Sequence, residues 1–129
     1  MKLKALIKEI TSSLETFQVK PEYRTLDGTR IDLAVLKNED KLVSIEFEKT
    51  YKWIDRRVLY NAIKAYRQGF PNLVIIYPFD KGVIERSWVM NYIKEIGVNT
   101  LIIKPDQAIK TLNELTKNNE LKPPKIEKL

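Results

Sequence analysis

Two acidic residues, Asp32 and Glu46, lie in short segments in which polar and apolar residues alternate. Alternation of this kind predicts strands with one buried face. The apolar residues occupy odd-numbered positions in both segments, from Ile31 to Val35 and from Val43 to Phe47. The pairing register must then set odd positions opposite odd ones. A three-residue turn at 38–40 satisfies this requirement, with Asp32 directly opposite Glu46.

Two carboxylates that face each other across a hairpin repel, and burying them without a partner is costly. The predicted register also pairs Leu36 with Leu42 on the same side of the sheet, so we expect that side to be partly covered. The acids then require a bound cation, a shared proton, or a nearby lysine or arginine, unless both are solvated. Glu48 is a further candidate for the site, with Arg30 as its predicted cross-strand partner.

The composition restricts the chemistry that such a site can perform. The 129-residue chain contains no histidine and no cysteine. This excludes imidazole bases, thiol nucleophiles, disulfides and zinc sites built on either residue type. A hard divalent ion prefers oxygen ligands and keeps several waters. An Asp–Glu pair that holds Mg²⁺ or Mn²⁺ is therefore suited to phosphodiester hydrolysis.

The net charge of +6 favours an anionic partner, nucleic acid first and an anionic membrane surface second. The sequence contains no run of about 18 apolar residues that would span a membrane. Its start lacks the continuous apolar stretch of a signal peptide. We therefore expect a cytoplasmic protein without a membrane partner.

The elements that position these residues follow from hydrophobic periodicity and turn signals. The pattern predicts helices at 2–17, 51–68, 83–96 and 105–117. It predicts strands at 22–26, 29–37, 41–49, 73–77 and 98–103. This order indicates one α/β domain over 1–118, in which helices cover both faces of a mixed sheet. We expect residues 119–129 to form a flexible tail.

The segments GTRIDLA at 28–34 and SIEFEK at 44–49 resemble the core of the PD-(D/E)XK nuclease superfamily. That restriction-endonuclease-like family has an αβββαβ core, which residues 2–77 match in order, and the remaining elements form a C-terminal αβα extension. The resemblance implies that Asp32 is the first metal-binding acid and Glu46 the glutamate of the E-x-K element. It also implies a Mg²⁺- or Mn²⁺-dependent endonuclease or exonuclease that acts on DNA, and a homodimer.

One position departs from the family pattern, because Glu48 stands where the family usually has lysine. The departure leaves two alternatives, a nuclease with another lysine and a nuclease-like module that binds DNA without cleaving it. Lys49 points to the opposite face of a regular strand, whereas Lys52 and Lys64 lie on the next helix and are candidates to substitute. Glu9 matches an acid that many members add from the first helix, with a solvated surface role as its alternative.

The predicted helix over 51–68 has a basic and aromatic face opposite its apolar face. Basic residues neutralise phosphates and aromatic rings stack on bases or sugars, so this face predicts a nucleic-acid contact. Its members are Trp53, Arg56, Arg57, Tyr60, Lys64 and Arg67. A protein-assembly surface centred on Trp53 is the alternative. Trp88 and Tyr92, on a later helix, are interpreted as core or subunit interface.

Overall fold

The computed structural model describes the backbone of residues 2–121 and the side chains of residues 2–117. The strands are β1 (Gln18–Arg24), β2 (Arg30–Lys37), β3 (Asp40–Phe47), β4 (Asn72–Ile76) and β5 (Asn99–Ile103). The helices are α1 (Leu3–Ser13), α2 (Ile54–Arg67), α3 (Gly82–Glu85), α4 (Val89–Ile96) and α5 (Ala108–Leu121), with a 3-10 turn at Pro105–Gln107 before α5. No helix in this part of the chain is long and apolar enough to cross a membrane.

The strands form one mixed sheet in the order β1-β2-β3-β4-β5. The first three strands are antiparallel to one another, and β4 and β5 join β3 in parallel. One face of the sheet packs against α2, α3 and α4, and the other face packs against α1 and α5. The prediction of an α/β fold with a mixed sheet flanked by helices is confirmed.

Several predicted boundaries differ from the structure. The strand expected at 22–26 lies at Gln18–Arg24, and the helix expected at 2–17 ends at Ser13. The helix expected at 83–96 is interrupted between α3 and α4, where Ser87 Oγ donates to Asp55 Oδ2 over 2.8 Å and accepts from the N–H of Val89 at 3.3 Å. The helix expected from residue 51 begins at Ile54, because Trp53 has a left-handed backbone with φ of 56°. Helix α5 continues to Leu121, and the rest of the expected tail at 119–129 lies outside the described residues.

The β2–β3 turn contains two residues instead of the predicted three. Asn38 and Glu39 have φ of 51° and 70°, as a two-residue type I′ turn requires. Lys37 pairs with Asp40 and Leu36 with Lys41, so the expected pairs Lys37–Lys41 and Leu36–Leu42 are wrong.

A bulge in β3 compensates for the shorter turn. Leu36 pairs with Lys41 while Val35 pairs with Val43, so Leu42 is one extra residue in β3. The expected pair Ala34–Ser44 is therefore present. The missing turn residue and the extra strand residue cancel, and this brings the two acids to the same level of the hairpin, just beyond the last regular pair, Leu33 with Ile45.

The alternation predicted that the apolar residues of β2 share one face of the sheet. In the structure they do not. Leu33 packs in the layer under α1, whereas Ile31 packs in the layer under α2. Residues two apart share a face only in a regular strand, so the alternation breaks at Asp32. The neighbouring strand is irregular at the same level, since Glu22 has φ of 48° between the residues that pair with Leu33 and Ile31. The break allows the Asp32 side chain to leave the regular direction of the strand.

Candidate functional site where β2 and β3 separate

Asp32 and Glu46 lie where the backbones of β2 and β3 stop pairing. The last regular pair at this end of the hairpin is Leu33 with Ile45, although β2 continues to Arg30 and β3 to Phe47. Beyond that pair, the N–H of Phe47 donates to Asp32 Oδ2 over 2.9 Å, and the N–H of Asp32 donates to Glu46 Oε1 over 3.4 Å. The two carboxylates take the place of backbone carbonyls and lie close together. The register predicted that they share one side of the sheet, but they do not, because Asp32 lines a cleft on the α1 side and Glu46 contacts Lys64 of α2.

The positive charge beside this pair comes from Lys64 of α2. Its Nζ lies 2.9 Å from Glu46 Oε2 and donates to the carbonyl of Arg30 over 2.7 Å. Lys64 is 7% exposed and Glu46 is 3% exposed. Lys64 is therefore inside the protein and not on the solvent-facing side of α2 where the helical pattern placed it. Of the expected ways to balance the acids, a nearby lysine is the one present.

Glu46 titrates far from its ordinary range. Burial raises the pKa of Glu46 to about 7, while the ammonium of Lys64 opposes this rise and the neighbouring Asp32 adds to it. The charge of the acid pair therefore changes near neutral pH. This property suits a metal ligand that must lose a proton before it binds a cation.

Glu48 is held by α2 rather than by β2. Its Oε2 accepts from Asn61 Nδ2 at 2.9 Å, and its Oε1 lies 3.5 Å from the guanidinium of Arg57. The expected partner, Arg30, lies instead 3.7 Å from Glu22. The predicted Arg30–Glu48 pair is wrong, because β2 and β3 have already separated at this level.

Arg57, Asn61 and Lys64 form one polar side of α2, directed at the acids of β3. Their spacing of four and three residues places them on the same side of a helix. Sequence reasoning missed the role of Asn61, which is 3% exposed. The sequence contained a signal for this role. The spacing places Asn61 on one side of the helix with two basic residues, and the preceding strand carries acids at 46 and 48.

Lys49 and Asp32 both line a cleft of about 270 Å³ on the α1 side of the sheet. The cleft also contains Glu22, and its apolar lining includes Ile7 and Phe47. Asp32 is half-buried and Lys49 is exposed, so this cleft gives solvent access to Asp32, whereas the buried Glu46 does not line it.

Two other predicted residues lie at the surface. Lys52 is exposed in the loop before α2, where its carbonyl accepts from Arg57 Nε at 3.3 Å. Glu9 is exposed on α1, and in the described part of the chain it makes no hydrogen bond or ion pair with Asp32 or Glu46. The structure therefore does not bring Lys52 or Glu9 into contact with the acid pair.

The outer side of α2 presents the remaining residues of the predicted nucleic-acid surface. Trp53 and Tyr60 are 66% and 54% exposed, and the guanidinium of Arg56 lies 4.7 Å above the Trp53 ring. Arg67 is exposed and its Nε lies 3.9 Å from Asp27 Oδ2. Arg57 is also exposed, beside Glu48. This surface is open to a ligand, with Lys64 as the one predicted member that is buried.

The acid pair fits some metal ions better than others. Among the residues whose side chains are described, no group of three or more acidic residues is arranged to hold a metal ion. Mg²⁺ commonly binds through one or two carboxylates and completes its shell with waters and substrate phosphates. Asp32 and Glu46 fit that donor set, whereas Glu48 is held by α2 and Glu9 makes no contact with the pair.

The raised pKa of Glu46 predicts a pH dependence of stability. Between pH 4.5 and about 7 the folded protein keeps a proton on Glu46 that the unfolded chain has lost. The stabilisation is therefore complete below pH 4.5 and is lost as the pH rises to about 7. We expect Glu46→Gln to flatten the stability profile in this range by on the order of 3 kcal/mol, as measured by urea unfolding. Glu39→Gln, at an exposed position, is the matched control, and an unchanged slope in Glu46→Gln would contradict the account.

The buried ion pair predicts an asymmetric mutational effect. Lys64→Met leaves the carboxylate of Glu46 buried without its cation, and we expect a loss of about 3–5 kcal/mol in the free energy of unfolding at a pH well above 7. The double variant Lys64→Met/Glu46→Leu removes both charges and should recover most of that loss. Urea unfolding measures both changes, with Lys52→Met as the control at an exposed lysine. A double variant as unstable as the single one would show that the pair is not the cause.

Comparison of this chain with models of protein families, with curated proteins and with solved structures finds no match. The resemblance to PD-(D/E)XK nucleases therefore stays a prediction, and the function has to be argued from the geometry of the site.

Proposed function

We propose that this chain is a metal-dependent nuclease that hydrolyses DNA phosphodiester bonds and has a restriction-endonuclease-like core. The observation that carries the proposal is the convergence of Asp32, Glu46 and Lys64 where β2 and β3 separate. Two acids beside a lysine are the residue types of the PD-(D/E)XK motif, and here the lysine comes from α2 and not from position 48. The element order from α1 to β4 follows the αβββαβ core and supports the same assignment.

In this proposal Asp32 and Glu46 hold Mg²⁺ or Mn²⁺, which when bound polarises a phosphoryl oxygen and lowers the pKa of a water. Asp32 is the half-buried acid at the solvent-accessible cleft, so it meets the incoming substrate. Lys49, exposed in the same cleft, is placed to bind a phosphate oxygen. Lys64 is a positioning residue, because its ammonium fixes the Glu46 carboxylate and favours the charged form that a metal ion needs.

The DNA in this proposal lies along the outer side of α2. Arg56 and Arg67 supply positive charge, and Trp53 and Tyr60 supply exposed rings. The net charge of +6 supports an anionic partner. The cleft at Asp32 opens on the α1 side of the sheet, so in this proposal the DNA also passes the end of the β2–β3 hairpin to reach the acid pair. A cytoplasmic location and a homodimer belong to the same proposal.

A second candidate function is DNA binding without cleavage. It is favoured by the way the protein balances its own acids, since Lys64 lies on Glu46 while Asn61 and Arg57 engage Glu48. In that case the acid pair is structural and the outer surface of α2 is the functional part. The two candidates agree on DNA as the ligand and differ on the need for a metal ion.

Cleavage assays separate these functions. The purified protein is incubated with Mn²⁺ or Mg²⁺ and end-labelled single-stranded, duplex or branched DNA. We expect cleavage that EDTA abolishes, and a rate at least about 100-fold lower in Asp32→Asn and Glu46→Gln, with circular dichroism spectra like that of the native chain. Glu39→Gln provides the matched control at an exposed glutamate.

Intact DNA of every form in the presence of Mn²⁺ would overturn the nuclease proposal. Salt-sensitive DNA binding that persists in Asp32→Asn would then assign the chain to the second candidate.

A further inference from the structure

A groove of about 470 Å³ lies between α2 and α4, and aromatic rings form much of its lining. Tyr66, Trp88 and Tyr92 line it and are 62%, 53% and 54% exposed. The alternative that Trp88 and Tyr92 belong to the core is therefore wrong. Ile63 is a further exposed apolar residue of the lining, and Glu95 is its one charged residue within the described chain. Exposed apolar surface of this kind marks a binding site when it is contiguous.

Helix α2 carries both the acid-facing residues and part of the lining of the groove. The side of α2 formed by Arg57, Asn61 and Lys64 contacts the acids of β3, and the side formed by Leu59, Ile63 and Tyr66 lines the groove. By helical periodicity, Arg56, Tyr60 and Arg67 lie between these two sides, and all three are exposed. A chain molecule that follows this middle strip therefore reaches the groove on one side, while Lys64 and Asn61 on the other side of the strip cover the acids of β3.

The rings in the groove are arranged to accept flat ligands. Trp88 and Tyr92 meet edge to face, with centroids 5.6 Å apart and planes at 90°. Each ring is about half exposed, so a base can stack on either one. Glu95 repels phosphate but accepts hydrogen bonds from exocyclic amino groups such as that of cytosine. These features favour bases inside the groove and phosphates outside it, on the arginines of the middle strip.

We propose that the groove between α2 and α4 receives unstacked bases of a single-stranded nucleic acid whose phosphates follow Arg56 and Arg67. The proposal rests on the proposed function, and it names single-stranded nucleic acid as the substrate form. Charge favours this occupant over a second copy in the groove, because a polyanion is attracted to a +6 chain and to the two arginines beside the groove.

Binding is measured in EDTA, so that the test is independent of cleavage and of the acid pair. The chain has two tryptophans, and Trp53→Phe leaves Trp88 as the single fluorescent indole. We expect a short single-stranded oligodeoxynucleotide of mixed sequence to quench Trp88, and the corresponding duplex to quench it far less. Trp88→Ala and Tyr92→Ala, made in the native chain, should each weaken single-strand binding by about tenfold or more, as measured by fluorescence anisotropy of a labelled oligonucleotide.

Tyr51→Ala is the matched control, since Tyr51 is 65% exposed and lies outside the groove. Equal affinities of Trp88→Ala, Tyr92→Ala and Tyr51→Ala for the single strand would overturn the proposal. Sedimentation that shows a native dimer, with Trp88→Ala monomeric and its single-strand affinity unchanged, would also overturn it and assign the groove to a subunit interface. Absence of cleavage with intact Trp88 quenching would overturn the nuclease proposal and support the groove proposal.

Discussion

The buried contact between Glu46 and Lys64 is the interaction on which the rest of the structure depends. Both side chains are removed from water, so the charged form of Glu46 depends on the ammonium of Lys64 beside it. Lys64 also donates to the carbonyl of Arg30, and one ammonium thereby connects α2 to both β2 and β3. This contact and the buried apolar residues of α2 together set the rotation of the helix about its axis. The directions of its polar, basic and groove-lining sides follow from that rotation.

The separation of β2 and β3 gives the site its polar groups. Backbone pairing ends at Leu33 and Ile45, and the N–H groups beyond that point find carboxylate acceptors instead of carbonyls. Asp32 remains half-buried at an open cleft, while Glu46 is enclosed and titrates near neutral pH. The two acids therefore differ in access to solvent, although they come from facing positions of one hairpin. A metal ion or a proton can satisfy the pair, and the choice depends on pH.

The order of the elements and the approach of the two acids were predictable. The apolar residues of both strands occupy odd-numbered positions, and this restricts the register to pairs of odd positions. This restriction fixes only the combined number of residues in the turn and in any bulge, and not how they are divided between the two. A two-residue turn with an extra residue at Leu42 satisfies it as well as the three-residue turn that we expected. The break in the alternation at Asp32 was not predictable from the sequence of β2 alone. It occurs at the level of Glu22, a residue with a left-handed backbone in the neighbouring strand.

The buried position of Lys64 shows a second limit of sequence reasoning. The helical pattern was interpreted as placing residue 64 on the outer side of α2, although its position lies near the border with the buried side. A lysine at such a border can extend its apolar stem inward or outward, and the direction is decided by the charge it meets. Here that charge is Glu46, on an element distant in sequence. Asn61 was missed for the same reason, since its partner Glu48 becomes a neighbour only when α2 docks on the sheet.

The proposed nuclease site requires Asp32 and Glu46 to share one metal ion beside Lys64. Titration of the ¹⁵N-labelled protein with Mn²⁺, followed by paramagnetic broadening of amide signals, tests it most directly. We expect the amides of residues 31–33 and 46–48 to broaden first, and this selectivity to disappear in Asp32→Asn. Uniform broadening, or broadening centred on another acidic residue such as Glu9, would contradict the claim.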